Sequence, residues 1–328
     1  MSARSWLLSA VTARRVDHGR FVVLSRLLAI LILVVVLALL SPQFLSWGNF
    51  INIVRQASLQ FLMAAGLTIV VLTGGIDLAV GAVLGLAACL AASTMSQGQM
   101  AWGIVAALAA GTAAGSVNGL LVTFGRIPPF IATYGMLWIA HGLGYVFMKG
   151  EVIYGLPPAF RFLGAGFVYG IPVPVIIAVM LLVALHVMLQ GTVLGRSVYA
   201  IGGNPGAARL SGMPVRSRLI FVYTLSGFLS AFAALVVIAR LNAADSSIGE
   251  DLLLPAIAAV CLGGTSLFGG VGGITGTAIG ALILALVVNG MNLLGVQSFW
   301  QNGVMGAIIL ISVLVDQIGG PRLIARRS

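Results

Sequence analysis

The chain has 328 residues, of which 60% are hydrophobic and only 7% charged, far from the quarter-charged balance of a water-soluble domain. Its formal net charge of +10 does not indicate nucleic acid, because the arginines flank apolar runs instead of forming a basic face. The two cysteines, Cys89 and Cys261, both lie inside apolar runs, which argues against a disulfide framework or a zinc cluster.

Apolar runs long enough to cross about 30 Å of hydrocarbon, at about 1.5 Å per helical residue, recur along the chain. They fall at Leu27–Leu40, Gln56–Thr73, Leu78–Met95, Trp102–Phe124, Phe130–Met148, Ile171–Gln190, Leu219–Arg240, Leu252–Leu267, Ile274–Leu294 and Val304–Asp316. The expected protein is therefore all-α and integral to the membrane, with about ten transmembrane helices and the lipid bilayer as its solvent. Residues 27–318 form one membrane domain between a basic N-terminal segment, 1–26, and a basic tail, 319–328. The 43 glycines suit helices whose backbones approach closely. The first run ends in Ser41-Pro42-Gln43-Phe44 instead of a small-x-small cleavage site, so it is expected to stay attached.

With ten spans, thirteen of the 17 basic residues share one side with both termini, among them Arg126, Arg196, Arg209, Arg216 and Arg218. Arg55, Lys149, Arg161 and Arg240 fall on the other. The positive-inside rule then places both termini, and the loop 191–218, in the cytoplasm. Gly111-Thr112-Ala113-Ala114-Gly115 in the fourth span is echoed by Gly276-Thr277-Ala278-Ile279-Gly280 in the ninth. That separation fits a 5+5 inverted repeat, although Gly-x-x-x-Gly spacing is also common in any membrane helix.

In chain order, the first notable motif is Gly74-Gly75-Ile76-Asp77-Leu78-Ala79-Val80-Gly81, a glycine break with a carboxylate between two apolar runs. Such a break is tolerated only against protein or water, and an ionisable residue inside it is a functional candidate. Two readings of Asp77 coexist: it caps the third span, or it serves a solute pathway. Gly74, Gly75 and Gly81 are candidate hinges. Asn118, in the fourth span, and Asn289, in the ninth, are amides able to meet solute or to bond between helices.

On the fifth span, Phe130, Tyr134, Trp138 and His141 recur at spacings of four, four and three and share one helix face. Aromatic faces with hydrogen-bonding tips suit a sugar ring. The plainer readings are a helix contact or a lipid-facing belt, and Trp138 lies too deep in its span for a belt. The outer loop 149–170 carries Pro157-Pro158 and is expected to hold a short interfacial segment.

The inner loop 191–218 encodes a small helix almost entirely in capping signals. Asn204 is a good N-cap and Pro205 suits the first turn; Ala207, Ala208, Arg209 and Leu210 propagate, and Gly212 supplies the left-handed stop. A second glycine break, Gly263-Gly264-Thr265-Ser266-Leu267-Phe268-Gly269-Gly270-Val271-Gly272-Gly273, reads either as a tight turn or as a hinge. The sole lysine, Lys149, stands in Met148-Lys149-Gly150, so the chain contains no phosphate-binding Gly-x-x-x-x-Gly-Lys motif. It is not expected to be an enzyme, and it has no relay of paired carboxylates for proton drive.

Several runs match a known family. Gln56-Ala57-Ser58, Ala64-Ala65-Gly66, the Gly74–Gly81 break, Ile127-Pro128-Pro129-Phe130-Ile131-Ala132-Thr133, Ala200-Ile201-Gly202-Gly203-Asn204-Pro205, Ala207–Gly212 and Leu262-Gly263-Gly264-Thr265-Ser266 occur in order. Through them the chain resembles the permease subunits of ribose-type bacterial ATP-binding-cassette (ABC) sugar importers.

The resemblance implies a multi-pass permease of the bacterial inner membrane that pairs with a second permease, as homodimer or heterodimer. It also implies a cytoplasmic ABC ATPase, tandem or not, that binds ATP and magnesium, and an extracytoplasmic solute-binding protein. The helix from Asn204 to Gly212 would be the coupling helix. Family members often carry serines where this chain has Ala79 and Ala82, and arginine where it has His141. A pentose, hexose, polyol or signalling sugar fits; nucleoside or branched-chain amino acid import, or a self-sufficient carrier or channel, are the alternatives.

Overall fold

The computed structural model describes residues 26–319, with side chains to Leu314. The segment 1–25 and the tail beyond 319 lie outside the described residues. The long helices are α1 (Arg26–Leu40), α2 (Trp47–Leu72), α3 (Val80–Ser96), α4 (Met100–Thr123), α5 (Pro129–Met148), α7 (Val173–Gly191), α10 (Val215–Leu241), α11 (Glu250–Leu262), α12 (Ile274–Leu293) and α13 (Ser298–Gly319). Shorter helices are α6 (Pro158–Ala165), α8 (Val193–Gly203) and α9 (Pro205–Leu210). Antiparallel two-residue strands pair Ile153–Tyr154 with Ala243–Ala244 and Phe167–Val168 with Ile171–Pro172.

Among the described residues six helices, α2, α4, α5, α7, α10 and α12, are long and apolar enough to cross a membrane. The described parts of α1 (Arg26–Leu40) and α13 (Ser298–Leu314), and α3, are apolar helices of 10–17 residues, and α11 has 13 residues. The chain is an all-α, multi-pass integral membrane protein.

α2 and α10 form the centre, with α3, α4 and α12 packed on them. Both are buried over most of their length, whereas α1, α5, α7 and α13 turn large apolar side chains outward. Such a surface is the reverse of a soluble protein and is stable only in lipid. Small residues permit the central crossings. A Cβ on Gly115 of α4 would overlap the Tyr223 carbonyl of α10, and Gly111 and Gly227 face each other equally closely. The echoed pair, Gly276 and Gly280, instead admits α11 at Gly263 and Ala259.

Helix ends differ from the sequence reading for local reasons. α2 begins at Trp47, well before Gln56, because the Ser46 hydroxyl accepts the Asn49 amide N–H at 3.3 Å and caps it. Hydropathy registers only the hydrocarbon-compatible part of a helix, while the backbone hydrogen bonds continue past it. α11 stops at Leu262 instead of Leu267, since Gly264 takes φ +66° and turns the chain. The inner loop also contains α8, which the sequence reading left unstructured. Its three glycines (Gly195, Gly202 and Gly203) weaken the helical signal, but the Thr192 hydroxyl caps it at Gly195 N, and Val198 and Ile201 are buried. In the outer loop, Pro157-Pro158 opens α6 as expected.

Candidate functional site

Each candidate residue is placed by the ends of the central helices. α2 ends at Thr73, and Gly74 follows at φ +77°, a left-handed conformation that glycine adopts without strain. The non-helical stretch to Ala79 is satisfied by neighbours on two sides. Thr133 of α5 donates its hydroxyl to the Ile76 carbonyl at 3.3 Å. Asp77, only 2% exposed, accepts the Ala79 N–H at 3.0 Å on one carboxylate oxygen and the Ser226 hydroxyl of α10 at 2.8 Å on the other. The carboxylate therefore closes the break locally and bonds it to the central helix, and in this conformation it meets no open space. Tyr223, fully buried, packs its hydroxyl against Gly75. Gly81 admits the backbone of Gly249, which brings the segment before α11 against the start of α3.

The four aromatic positions on α5 form a continuous ladder. Phe130 and Tyr134 stack with centroids 6.0 Å apart; Tyr134 to Trp138 (6.3 Å) and Trp138 to His141 (6.0 Å) meet edge to face. Tyr145, which the sequence reading did not include, extends the ladder at 6.4 Å from His141. Phe130, Tyr134 and Trp138 are exposed. Between Trp138 and Tyr145 on the ladder, His141 Nδ1 lies 3.0 Å from Glu250 Oε1, at the first residue of α11. Glu250 carried no pattern signal in the sequence; only the approach of α11 to α5 identifies it. The ladder thus offers three exposed ring faces leading to a carboxylate and imidazole pair, with Tyr145 beyond it, which is chemistry suited to a polyhydroxylated ring.

The two asparagines part company. Asn289 of α12 exchanges amide hydrogen bonds with Asn49 of α2 (3.1 and 2.6 Å), and Asn49 also donates to the Phe44 carbonyl at 2.9 Å. These amides join two helices in the manner common for polar groups in lipid. Asn118 is buried in α4, and its Oδ1 has no partner. Asn242, at the end of α10, ties down the outer loop: its carbonyl accepts Gly155 N–H at 3.1 Å and its side chain accepts Leu156 N–H at 3.0 Å.

On the opposite side, α9 has the caps read from the sequence. Asn204 Oδ1 accepts the Ala207 N–H at 3.0 Å, Pro205 opens the helix, and Gly212 takes φ +81°. Ala208 is buried with Ile201 and Val215, whereas Asn204, Pro205, Ala207, Arg209 and Leu210 are exposed, Leu210 at 92%. The helix thus presents Arg209 and Leu210 side by side on its open face.

α8 links this helix to both glycine breaks. A Cβ on Gly202 would overlap the Leu72 carbonyl oxygen and the Gly270 amide nitrogen, so three backbones touch there. The Gly270 N–H bonds the Leu72 carbonyl at 2.9 Å, which fastens the second break to the end of α2. The Tyr199 hydroxyl of α8 donates to the Gly272 carbonyl at 3.1 Å. Gly263 lies against the backbone of Gly276. Neither the contact between the two breaks nor the role of α8 had a sequence signal.

Residues 49–313 match the family described as "Branched-chain amino acid transport system / permease component". The chain is 45% identical over 293 residues to the "Ribose import permease protein RbsC" of Bacillus subtilis (strain 168), covering 88% of this chain and 91% of that protein. It is 44% identical over 295 residues to the protein of the same name from Escherichia coli (strain K12), covering 88% and 92%. It is 36% identical over 304 residues to the "D-allose transport system permease protein AlsC" of Escherichia coli (strain K12), covering 92% and 91%. No solved structure matches. With the family profile spanning residues 49–313 and a relative 45% identical over 88% of the chain, the protein belongs to the branched-chain amino acid transport system permease family.

Proposed function

We propose that the chain is the membrane-spanning subunit of an ABC importer and forms the translocation pathway for a sugar or sugar-like solute. The observation that carries this reading is the exposed, self-capped helix α9, joined through α8 to both glycine breaks. A rigid, exposed helix of that kind suits a groove on a soluble motor. The relatives named for ribose and D-allose, together with the aromatic ladder of α5, support a monosaccharide as solute.

In this reading the ten long helices all span the bacterial inner membrane, both termini are cytoplasmic, and the halves form a 5+5 inverted repeat. A second permease completes the pathway. A partner ATPase binds ATP and magnesium, and a solute-binding protein delivers cargo from outside. Closure of the ATPases on ATP moves α9, and α8 passes that displacement to Leu72 and Gly270 as backbone contact without intervening soft side chains. The break at 73–79 stays bonded to α10 through Asp77 and Ser226, so the central helices move with it. Exposed rings on α5 then face solute in the outward-open or inward-open pair.

Reconstitution tests this. Proteoliposomes containing the chain with its ATPase and binding protein should accumulate a labelled monosaccharide only with ATP. Uptake by the chain alone under an ion gradient would defeat the reading and favour a self-sufficient carrier.

A further inference from the structure

Between α9 and the ends of α4, α5 and α10 lies a pocket of about 480 Å³, lined in part by Thr123, Arg126, Pro129, Arg209, Arg216 and Leu219. Three guanidinium groups line it and no carboxylate does. Helices α5 and α10 both start at its rim, so their positive dipole ends add to the same field. Arg126 holds φ +54°, a left-handed backbone that a non-glycine residue adopts at a cost, yet it is kept at the pocket wall.

The surroundings decide what kind of anion fits. The Arg216 guanidinium lies over the Phe124 ring at 5.7 Å from its centroid, which fixes one charge at the end of α4. From Phe124 an exposed apolar stripe, Leu120 and Val117, runs up α4 away from the pocket. A charged pocket at the foot of an apolar stripe has the polarity of a phospholipid: phosphate below, acyl chain alongside. A free phosphate would engage only the guanidiniums, whereas a phospholipid would also lie along the stripe.

We propose that this pocket binds the phosphate of an anionic phospholipid headgroup in the leaflet on the α9 side of the membrane. A lipid seated there touches both Arg209 of α9 and Arg216 of α10, so it braces the solvent-facing helix against the membrane domain. The proposal concerns lipid binding and not the solute, so a failed uptake assay would leave it standing.

The test uses the purified full-length chain reconstituted into vesicles of equal phosphatidylglycerol and phosphatidylcholine, then extracted in detergent and examined by native mass spectrometry. The wild type should retain phosphatidylglycerol in preference to phosphatidylcholine. Arg126→Gln with Arg216→Gln should lower that retention roughly thirtyfold, at roughly fivefold per basic residue lost near an anionic surface. Arg126→Lys with Arg216→Lys should recover most of it. If the double glutamine variant does not fold, as judged by thermal unfolding, Arg216→Gln alone should still show its roughly fivefold loss. Equal retention in folded wild type and variant would overturn the proposal. So would full displacement of the lipid by excess inorganic phosphate, which would make the site one for a soluble anion. Unchanged lipid retention with lost binding of the ATPase would assign the arginines to that protein instead, and would also overturn it.

Discussion

Gly202 and Gly203 are neighbours at the end of α8, yet alanine should have opposite effects at the two positions. A Cβ on Gly202 would lie well inside the 3.0 Å that real Cβ atoms keep, against the Leu72 carbonyl oxygen and the Gly270 amide nitrogen. Both obstacles are backbone, so no side chain can rotate aside, and α8 or the two breaks must separate on the ångström scale. That movement also strains the 2.9 Å hydrogen bond between Gly270 and Leu72. Overpacking of a close-packed site costs about 1–3 kcal/mol, and a contact without soft atoms belongs at about the upper end. Gly203 has nothing within 4 Å of its would-be Cβ, and there alanine should be neutral or stabilising by up to about 1 kcal/mol through its higher helix propensity. Thermal unfolding of the two variants in detergent, followed by ATP-dependent uptake in proteoliposomes, gives the comparison. Gly202→Ala should unfold several degrees lower and transport poorly; Gly203→Ala should match the wild type in both. Equal stability and equal uptake for the two variants would refute the rigid link from α8 to the glycine breaks.

Two further outcomes follow from the exposed surfaces. Arg209→Glu reverses the charge on α9, where the side chain is exposed, and should weaken association with the ATPase by roughly tenfold or more while leaving insertion intact; pull-down from membranes checks it, with Arg161→Glu in the outer loop as the unaffected control. Trp138→Ala removes a ring that is 57% exposed, so unfolding should barely shift, whereas the half-saturation concentration for sugar should rise about two- to tenfold, the worth of one ring stack. His141→Ala, which also frees Glu250, should change the preference among monosaccharides; identical transport of every solute in both variants would return the ladder to a packing role.

Much of this protein is legible in its sequence. Hydropathy and composition are local sums, and they sufficed for an all-α membrane protein because lipid leaves helices as the simplest way to satisfy every backbone group. Capping is equally local. Asn204, Pro205 and Gly212 act within one short helix, so α9 appears as read. The aromatic spacing of α5 likewise needs only the helical repeat to place Phe130, Tyr134, Trp138 and His141 on one face, and the ring distances follow. α8 was missed for the converse reason: its glycines are poor helix formers alone, and burial of Val198 and Ile201 against other elements compensates.

The sequence by itself determined the solvent, the helical class, the positions of the breaks and the caps of α9, because each depends on residues within a turn or two of one another. Only the tertiary structure decided which surfaces meet. It spent Asn289 on Asn49, gave Asp77 to Ser226, brought Glu250 to His141 and pressed Gly202 onto Leu72 and Gly270. Partners separated by many tens to hundreds of residues leave no periodic trace in a chain. Their pairing is set by how helices cross, and so it took the fold to show that the Asp77 carboxylate bonds the break between α2 and α3 to the centre of the protein.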